Sequence, residues 1–239
     1  MISCAKTDVG IKRKVNQDAI FYSDTAVGKL PNLYLVADGM GGELAGDYAS
    51  AKCVETIINC IKKSKETEPV RILEEAIQTA NNLIYAESKS DPGKAGMGTT
   101  LVMATIIDGH LFVANVGDSR LYVANSSKVL QRTKDHSVVA ELVRTGELDE
   151  DDARTDKRKN MITRAVGAES AIAADYFDVA LKGREHILLC SDGLTNMVSD
   201  KEILSILKSA DSIEDRATRL VELANSYGGK DNISVIIVE

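Results

Sequence analysis

Several features missing from the 239-residue sequence restrict its class. No apolar run approaches the ~20 residues a membrane span needs, and Met1-Ile2-Ser3-Cys4-Ala5-Lys6-Thr7-Asp8 shows no basic-then-apolar signal segment. A cytoplasmic protein without membrane insertion is expected. An excess of basic residues is also lacking: 29 Lys and Arg stand against 36 Asp and Glu, a net charge of −7. Nucleic acid and anionic membranes select clustered Lys and Arg, so neither is the expected partner. The four cysteines, Cys4, Cys53, Cys60 and Cys190, form no C-x-x-C pair, which argues against a zinc site or a disulfide framework and for buried thiols. Internal repeats and Pro/Ser-rich linkers are absent too, so residues 1–239 are expected to form one domain. An apolar fraction of 44% suits a globular core.

The patterning that is present alternates between two periods. From Ala45 to Ile61 the residues Ala49, Cys53, Ile57 and Ile61 recur every four positions, the stripe of a core-facing helix. A second helix is predicted from Pro69, with the stripe Leu73, Ala76/Ile77, Ala80 and Ile84, and the two are expected to pair. From Thr99 short apolar runs take over: Thr100–Ile107, Leu111–Val116 and Leu121–Ala124, the first two separated by the hairpin dipeptide Asp108-Gly109. These three predict an antiparallel sheet. Residues 133–160 are polar with weak periodicity and contain the acidic run Glu147–Asp152, which predicts a solvated, mobile, flap-like insertion. Strands resume at Ala173–Leu181, His186–Cys190 and Ile233–Val238, with two helices entered through Ser199-x-x-Glu202 and Ser212-x-x-Asp215. The reading is α+β, with helices covering antiparallel sheets.

Three strand-like runs end in Asp beside Gly: Leu33 to Asp38-Gly39, Leu111 to Gly117-Asp118, and His186 to Asp192-Gly193. A fourth acidic turn, Gly228-Gly229-Lys230-Asp231-Asn232, precedes the last strand. Each alone is an ordinary turn. Together, carboxylates delivered to one sheet edge repel one another unless cations neutralise them. Oxygen donors without His or Cys select hard cations, and no twelve-residue calcium loop is present, so Mg²⁺ or Mn²⁺ is favoured over Zn²⁺ and Ca²⁺.

Six ordered motifs carry a resemblance: Arg13…Asn16-Gln17-Asp18, Val36-Ala37-Asp38-Gly39-Met40-Gly41-Gly42, Gly98-Thr99-Thr100, Val116-Gly117-Asp118-Ser119-Arg120, Ser191-Asp192-Gly193-Leu194 and Asp231-Asn232-Ile233-Ser234. From Thr7 onward the chain resembles the metal-dependent protein phosphatases, the type-2C serine/threonine class, in their compact bacterial form. The resemblance implies an α-β-β-α four-layer sandwich, two antiparallel sheets flanked by helices, with the metal centre at one end of the sheets. It implies that Asp38 bridges two Mn²⁺ or Mg²⁺ ions, with the Gly39 carbonyl on one of them and Asp192 and Asp231 on the other. Asp18 would help to hold the Gly39-side ion mainly through water, and Asp118 with Asp192 would hold a weaker third. Arg13 would bind the substrate phosphate, its planar fork spanning two oxygens as Lys cannot. The implied activity is hydrolysis of phosphoserine and phosphothreonine in proteins by a metal-activated water, without a protein nucleophile. Phosphorylated proteins and a cognate serine/threonine kinase are the expected partners of a monomer.

The chain departs from the family pattern at four positions. Met40 stands where some members carry a His proposed as general acid, which leaves that role open. Glu43 and Asp47 replace His and Glu and read as helix-start acids. Gln17 replaces a Glu and weakens one acid behind the ligands. Elsewhere, His136 reads as a helix-entry or flap-packing residue before a proton donor, and Cys190 as a buried strand residue before a redox sensor. Asn160 and Arg164 border the excursion, and Ser119 and Arg120 are expected to secure the turn bearing Asp118. Two rival readings stay open, a catalytically silent phosphoprotein binder and a calcium-stabilised structural domain.

Overall fold

The computed structural model describes residues 1–41, 45–153 and 155–239, the side chains at 150 and 151 excepted. Among these residues eleven strands pair into two antiparallel sheets. One has the order β1 (Ser3–Asp8), β11 (Ile233–Val238), β10 (His186–Cys190), β7 (Arg120–Ala124), β8 (Val129–Gln131). The other runs β2 (Asp18–Ser23), β3 (Leu33–Met40), β5 (Leu101–Ile107), β6 (His110–Val116), β9 (Asp175–Ala180), with the short β4 (Gly98–Thr99) paired to β3.

Strand parity divides the core into three layers. In β3, Leu33, Leu35 and Ala37 face outward onto α1 (Gly46–Lys63) and α2 (Pro69–Ser90), meeting Cys53, Ile57, Leu73, Ile77 and Ile84. The alternate residues Tyr34 and Val36 point between the sheets, against Leu121, Val123, Leu189 and Ile236. On the far side Leu188, Val235 and Ile237 pack under α6 (Asp200–Leu207) and α7 (Ile213–Ser226), against Ile203, Leu207, Leu220 and Ala224. Strands buried on both faces read as continuous apolar runs, which is why Leu33–Ala37 and Ile233–Val238 show so little alternation. The four-layer sandwich follows. Both predicted N-caps form: Ser199 and Glu202 make a capping box, and Ser212 Oγ accepts from the Asp215 N–H.

One expectation needs correction. The three apolar runs after Thr100 do not share a sheet: β5 and β6 form the predicted hairpin, whereas β7 pairs with β10 across the sandwich. Gly117, at φ 98°, makes that crossing, and a Cβ there would lie 2.7 Å from the Thr100 side chain. The polar stretch after Thr133 is less irregular than its composition suggests. It contains α3 (Val138–Thr145), capped by Ser137 and ended by Gly146 at φ 77°, and the single turn α4 (Glu150–Ala153). Val139 is the one buried residue of α3, with Val138, Leu142 and Val143 half-buried; the pairs Val138/Val139 and Leu142/Val143 repeat at helical spacing but over only two turns between polar flanks. No described helix is long and apolar enough to cross a membrane.

Candidate active site

The parity that sends Tyr34 and Val36 between the sheets also sends Asp38 there, at the end where the sheets part. Asp18 is its cross-strand partner in register. Like charges directly opposed on a ladder destabilise it, so this pair is costly to the fold on its own. Strand β3 does not stop at Asp38, as its turn dipeptide suggested, but continues to Met40 by pairing Gly39 with Thr99. Asp192 opens the single-turn helix α5 (Asp192–Thr195) immediately after β10, and Asp118 follows β6. A cavity of about 690 Å³ is lined by Arg13, Asp38, Gly39, Asp118, Asp192 and Asp231, with Met40 and Thr100 alongside. Every residue proposed from the sequence as a ligand or phosphate binder therefore borders it, or, for Asp18, stands directly behind Asp38.

Close backbone approach builds this end. A Cβ on Gly39 would fall 1.9 Å from the Gly46 carbonyl oxygen, so only glycine lets the start of α1 lie against β3. The Asp38 main chain is clamped on both sides: its N–H donates to Thr100 Oγ1 at 3.0 Å, and its carbonyl accepts from the Thr100 N–H at 2.8 Å and from Thr99 Oγ1 at 2.9 Å. Thr100 Oγ1 in turn lies 2.7 Å from Ser119 Oγ. Ser191 Oγ donates to Asp18 Oδ2 at 2.7 Å, and Asn196 Nδ2 to Asp192 Oδ2 at 2.8 Å. Asn232 ties three segments together, accepting from the Gln17 N–H and donating to the carbonyls of Val9 and Val15. Thr100, Ser191, Asn196 and Asn232 had no assigned role in the sequence reading. Only Asn196 had a usable signal, its i+4 spacing from Asp192.

The electrostatics are those of a cation site. Asp38 is half-buried in this cluster, and its carboxyl is pushed well above the ordinary carboxylate range, first by burial and then by the charges of Asp18, Asp192, Asp118 and Asp231. Asp18, Asp118 and Asp192 are raised for the same leading reason, burial, with neighbouring carboxylates adding to it. Oδ1 of Asp18 and Oδ1 of Asp192 are buried without a hydrogen-bond donor among the described residues, though buried polar atoms almost always find a partner. Orphaned, mutually repelling carboxylate oxygens fit hard divalent cations. The cluster is open: no three His, Cys, Asp or Glu among the described residues close around a single point. Asp231 contributes to that openness, because its Oδ2 accepts from Arg13 Nη2 at 2.8 Å and its Oδ1 from the Asn232 N–H.

Of the other candidates, His136, Asn160, Arg164, Ser119, Arg120 and Cys190, Asn160 alone borders the cavity. His136 is 6% exposed; its Nδ1 accepts from the Gly117 N–H at 3.1 Å and its own N–H donates to the Gly117 carbonyl, which pins the entry to α3 onto the Asp118 turn. Burial and Arg164 lower its pKa, so it stays a neutral packing residue. Arg164 turns to Asp175 at 3.0 Å instead of the cavity, while Asn160 does line it. Ser119 supports the Asp118 turn as expected, whereas Arg120 grips Asp135 through Nε and Nη2. Burial pushes the Cys190 thiol up to about 12, and all four cysteines are free. Asp47 lies in the first turn of α1; Glu43 is outside the described residues.

Comparison with known proteins identifies the family. The family model of protein phosphatase 2C matches residues 12–233. A serine/threonine phosphatase stp of Listeria innocua is 42% identical over 98% of this chain and 94% of its own. The crystal structure of serine/threonine phosphatase Stp1 from Staphylococcus aureus superposes with a TM-score of 0.92 at 35% identity, covering 99% of this chain and 94% of the other. The catalytic domain of the serine threonine protein phosphatase PstP, solved with two manganese ions, gives 0.87 at 30% identity over 99% and 96%. The chain belongs to the protein phosphatase 2C family and is a serine/threonine phosphatase of that type.

Proposed function

We propose that the protein hydrolyses phosphoserine and phosphothreonine in proteins as a single catalytic domain, with Mn²⁺ or Mg²⁺ held by the carboxylate cluster. Asp38 would bridge two ions, the Gly39 carbonyl and, through water, Asp18 would serve one, and Asp192 and Asp231 the other. Asp118 with Asp192 would hold a weaker third. Bound there, such ions supply an activated water and neutralise charge developing on the phosphoryl oxygens. The two donorless buried oxygens, Asp18 Oδ1 and Asp192 Oδ1, carry this reading.

The chain's own groups do the rest. Ser191 and Asn196 each occupy one oxygen of Asp18 and Asp192 and so aim the other into the cluster. Arg13 uses one nitrogen on Asp231, and its remaining N–H donors, with no protein partner among the described residues, are available to a phosphate at the mouth. Met40 lines the cavity and cannot transfer a proton, so this side chain is not the general acid. Residues 133–160 act as a flap beside the mouth, with Asn160 on its wall. The enzyme would oppose a serine/threonine kinase in the cytoplasm.

Hydrolysis of a generic aryl phosphate by purified protein tests the reading. It should vanish in excess chelator, return with Mn²⁺ or Mg²⁺ and return poorly with Ca²⁺. Asp38→Asn should remove most of it while circular dichroism stays native. Full turnover in chelator would sink the metal assignment; melting raised by metal without any turnover would favour a silent or structural domain.

A further inference from the structure

The mouth of the cavity carries charge opposite to that of the whole molecule. Ile11, Lys12, Arg13, Lys14 and Val15 are all exposed, Ile11 at 62% and Val15 at 43%. Their backbone is fixed from beneath. The N–H groups of Ile11 and Lys12 donate to the Gly229 carbonyl at 2.8 and 3.0 Å, and Asn232 Nδ2 holds the Val15 carbonyl at 3.0 Å. Lys230, exposed, follows Gly229 on the supporting loop. Lys12 and Lys14 line the cavity, and none of these three lysines forms an ion pair among the described residues, whereas Arg13 pairs with Asp231 through Nη2. In a chain of net charge −7, unpaired lysines would ordinarily find acidic neighbours.

The position of this charge decides what it can contact. Asp38 and Asp192 line the cavity and are half-buried, whereas Lys12, Lys14 and Lys230 are exposed, so a phosphate that reaches the two carboxylates lies deeper than the lysines. The lysines are solvent-facing, and groups at that level belong to the residues on either side of the phosphorylated one. Ile11 and Val15 bracket Lys12 and Lys14 with exposed apolar surface, and Ile162, which follows the exposed Met161, also lines the cavity. A fixed basic strip edged by apolar side chains complements an extended segment bearing carboxylates.

We propose that this rim selects phosphoserine and phosphothreonine sites flanked by acidic residues; the proposal rests on the phosphatase reading above. The test compares two phosphothreonine peptides, identical except for Glu or Gln at the two positions on each side of the phosphothreonine, with the Mn²⁺-loaded enzyme. The acidic peptide should be favoured about 5- to 10-fold in kcat/KM at low salt, the scale of a few exposed charge contacts. That ratio should shrink as salt is added. In Lys12→Gln/Lys14→Gln/Lys230→Gln the ratio should approach one, and in the corresponding triple Glu variant it should invert, with a Lys-flanked peptide preferred. A ratio taken within one preparation is insensitive to how much of a variant folds. Equal kcat/KM for the two peptides in the wild type, or a ratio unmoved by the triple variants, would overturn the rim's role and leave the phosphatase reading standing. Turnover of neither peptide would overturn the phosphatase reading, and the rim's role with it.

Discussion

Arg13 and Asp231 form an ion pair whose members are 48% and 26% exposed, a degree of solvation at which such pairs contribute little to stability. The consequence of changing Arg13 should therefore appear in kinetics before it appears in melting. Arg13→Ala is expected to lose about 1.5–3 kcal/mol of transition-state stabilisation in kcat/KM, the scale of a charge-assisted hydrogen bond to phosphate. Arg13→Lys should recover only part of it, because an ammonium cannot present two parallel donors. Equal kcat/KM for Arg13→Ala and wild type on both a phosphopeptide and an aryl phosphate would remove Arg13 from the site. At this scale the sequence was informative about identity and silent about partners. That Asp38, Asp118, Asp192 and Asp231 converge could be inferred from three strand-like runs ending in Asp beside Gly and the acidic turn before the last strand. That Arg13 lies against Asp231, 218 positions away, is a tertiary contact with no local signature.

The start of α1 is brought against β3 by two glycines. Besides the 1.9 Å approach at Gly39, a Cβ on Gly46 would lie 2.8 Å from the Gly39 carbonyl oxygen. Gly39→Ala must push the helix and strand apart, at a cost of about 1–3 kcal/mol typical of overpacking. Chemical denaturation should show that loss, and Mn²⁺ titration should show weaker binding, since the Gly39 carbonyl is a proposed ligand. Unchanged stability and metal affinity would mean that the approach is not needed. The long elements α1, α2, β5, β6 and β11 were legible because their apolar positions repeat over several turns or rungs. The element α5 was not, being a single turn in which Asp192, Gly193 and Thr195 signal a loop as strongly as a helix. The two-residue β4 owes its pairing to Gly39 and Met40 across from it, and no propensity within Gly98-Thr99 announces that. The move of β7 to the second sheet depends on the turn at Gly117, whose direction a hydrophobic pattern does not encode.

Across the whole molecule, the sandwich pays for its carboxylate cluster in stability. Asp192, Asp18 and Asp118 are raised to about 6, about 7 and about 8, chiefly by burial. A carboxyl whose folded pKa exceeds its unfolded value, about 4, binds protons more tightly in the folded state, so stability falls as pH rises from the unfolded value through the folded one. The melting temperature of chelator-treated protein should therefore decline from pH 5 to pH 8, and Mn²⁺ should raise it more at pH 8 than at pH 5, because the cation binds the deprotonated form. A chelated protein that gains stability over this interval would contradict the account. Carboxylates lowered by hydrogen bonds from their neighbours, such as Glu202 and Asp156, each at about 2, titrate below this window and do not mask it. The central claim, that this end of the sandwich is a divalent-metal centre, is tested most directly by anomalous diffraction at the manganese edge from crystals soaked in Mn²⁺. The account predicts two strong peaks within the cluster of Asp38, Asp192 and Asp231 and a weaker one beside Asp118. Crystals that diffract well and show no anomalous density among these carboxylates would contradict it.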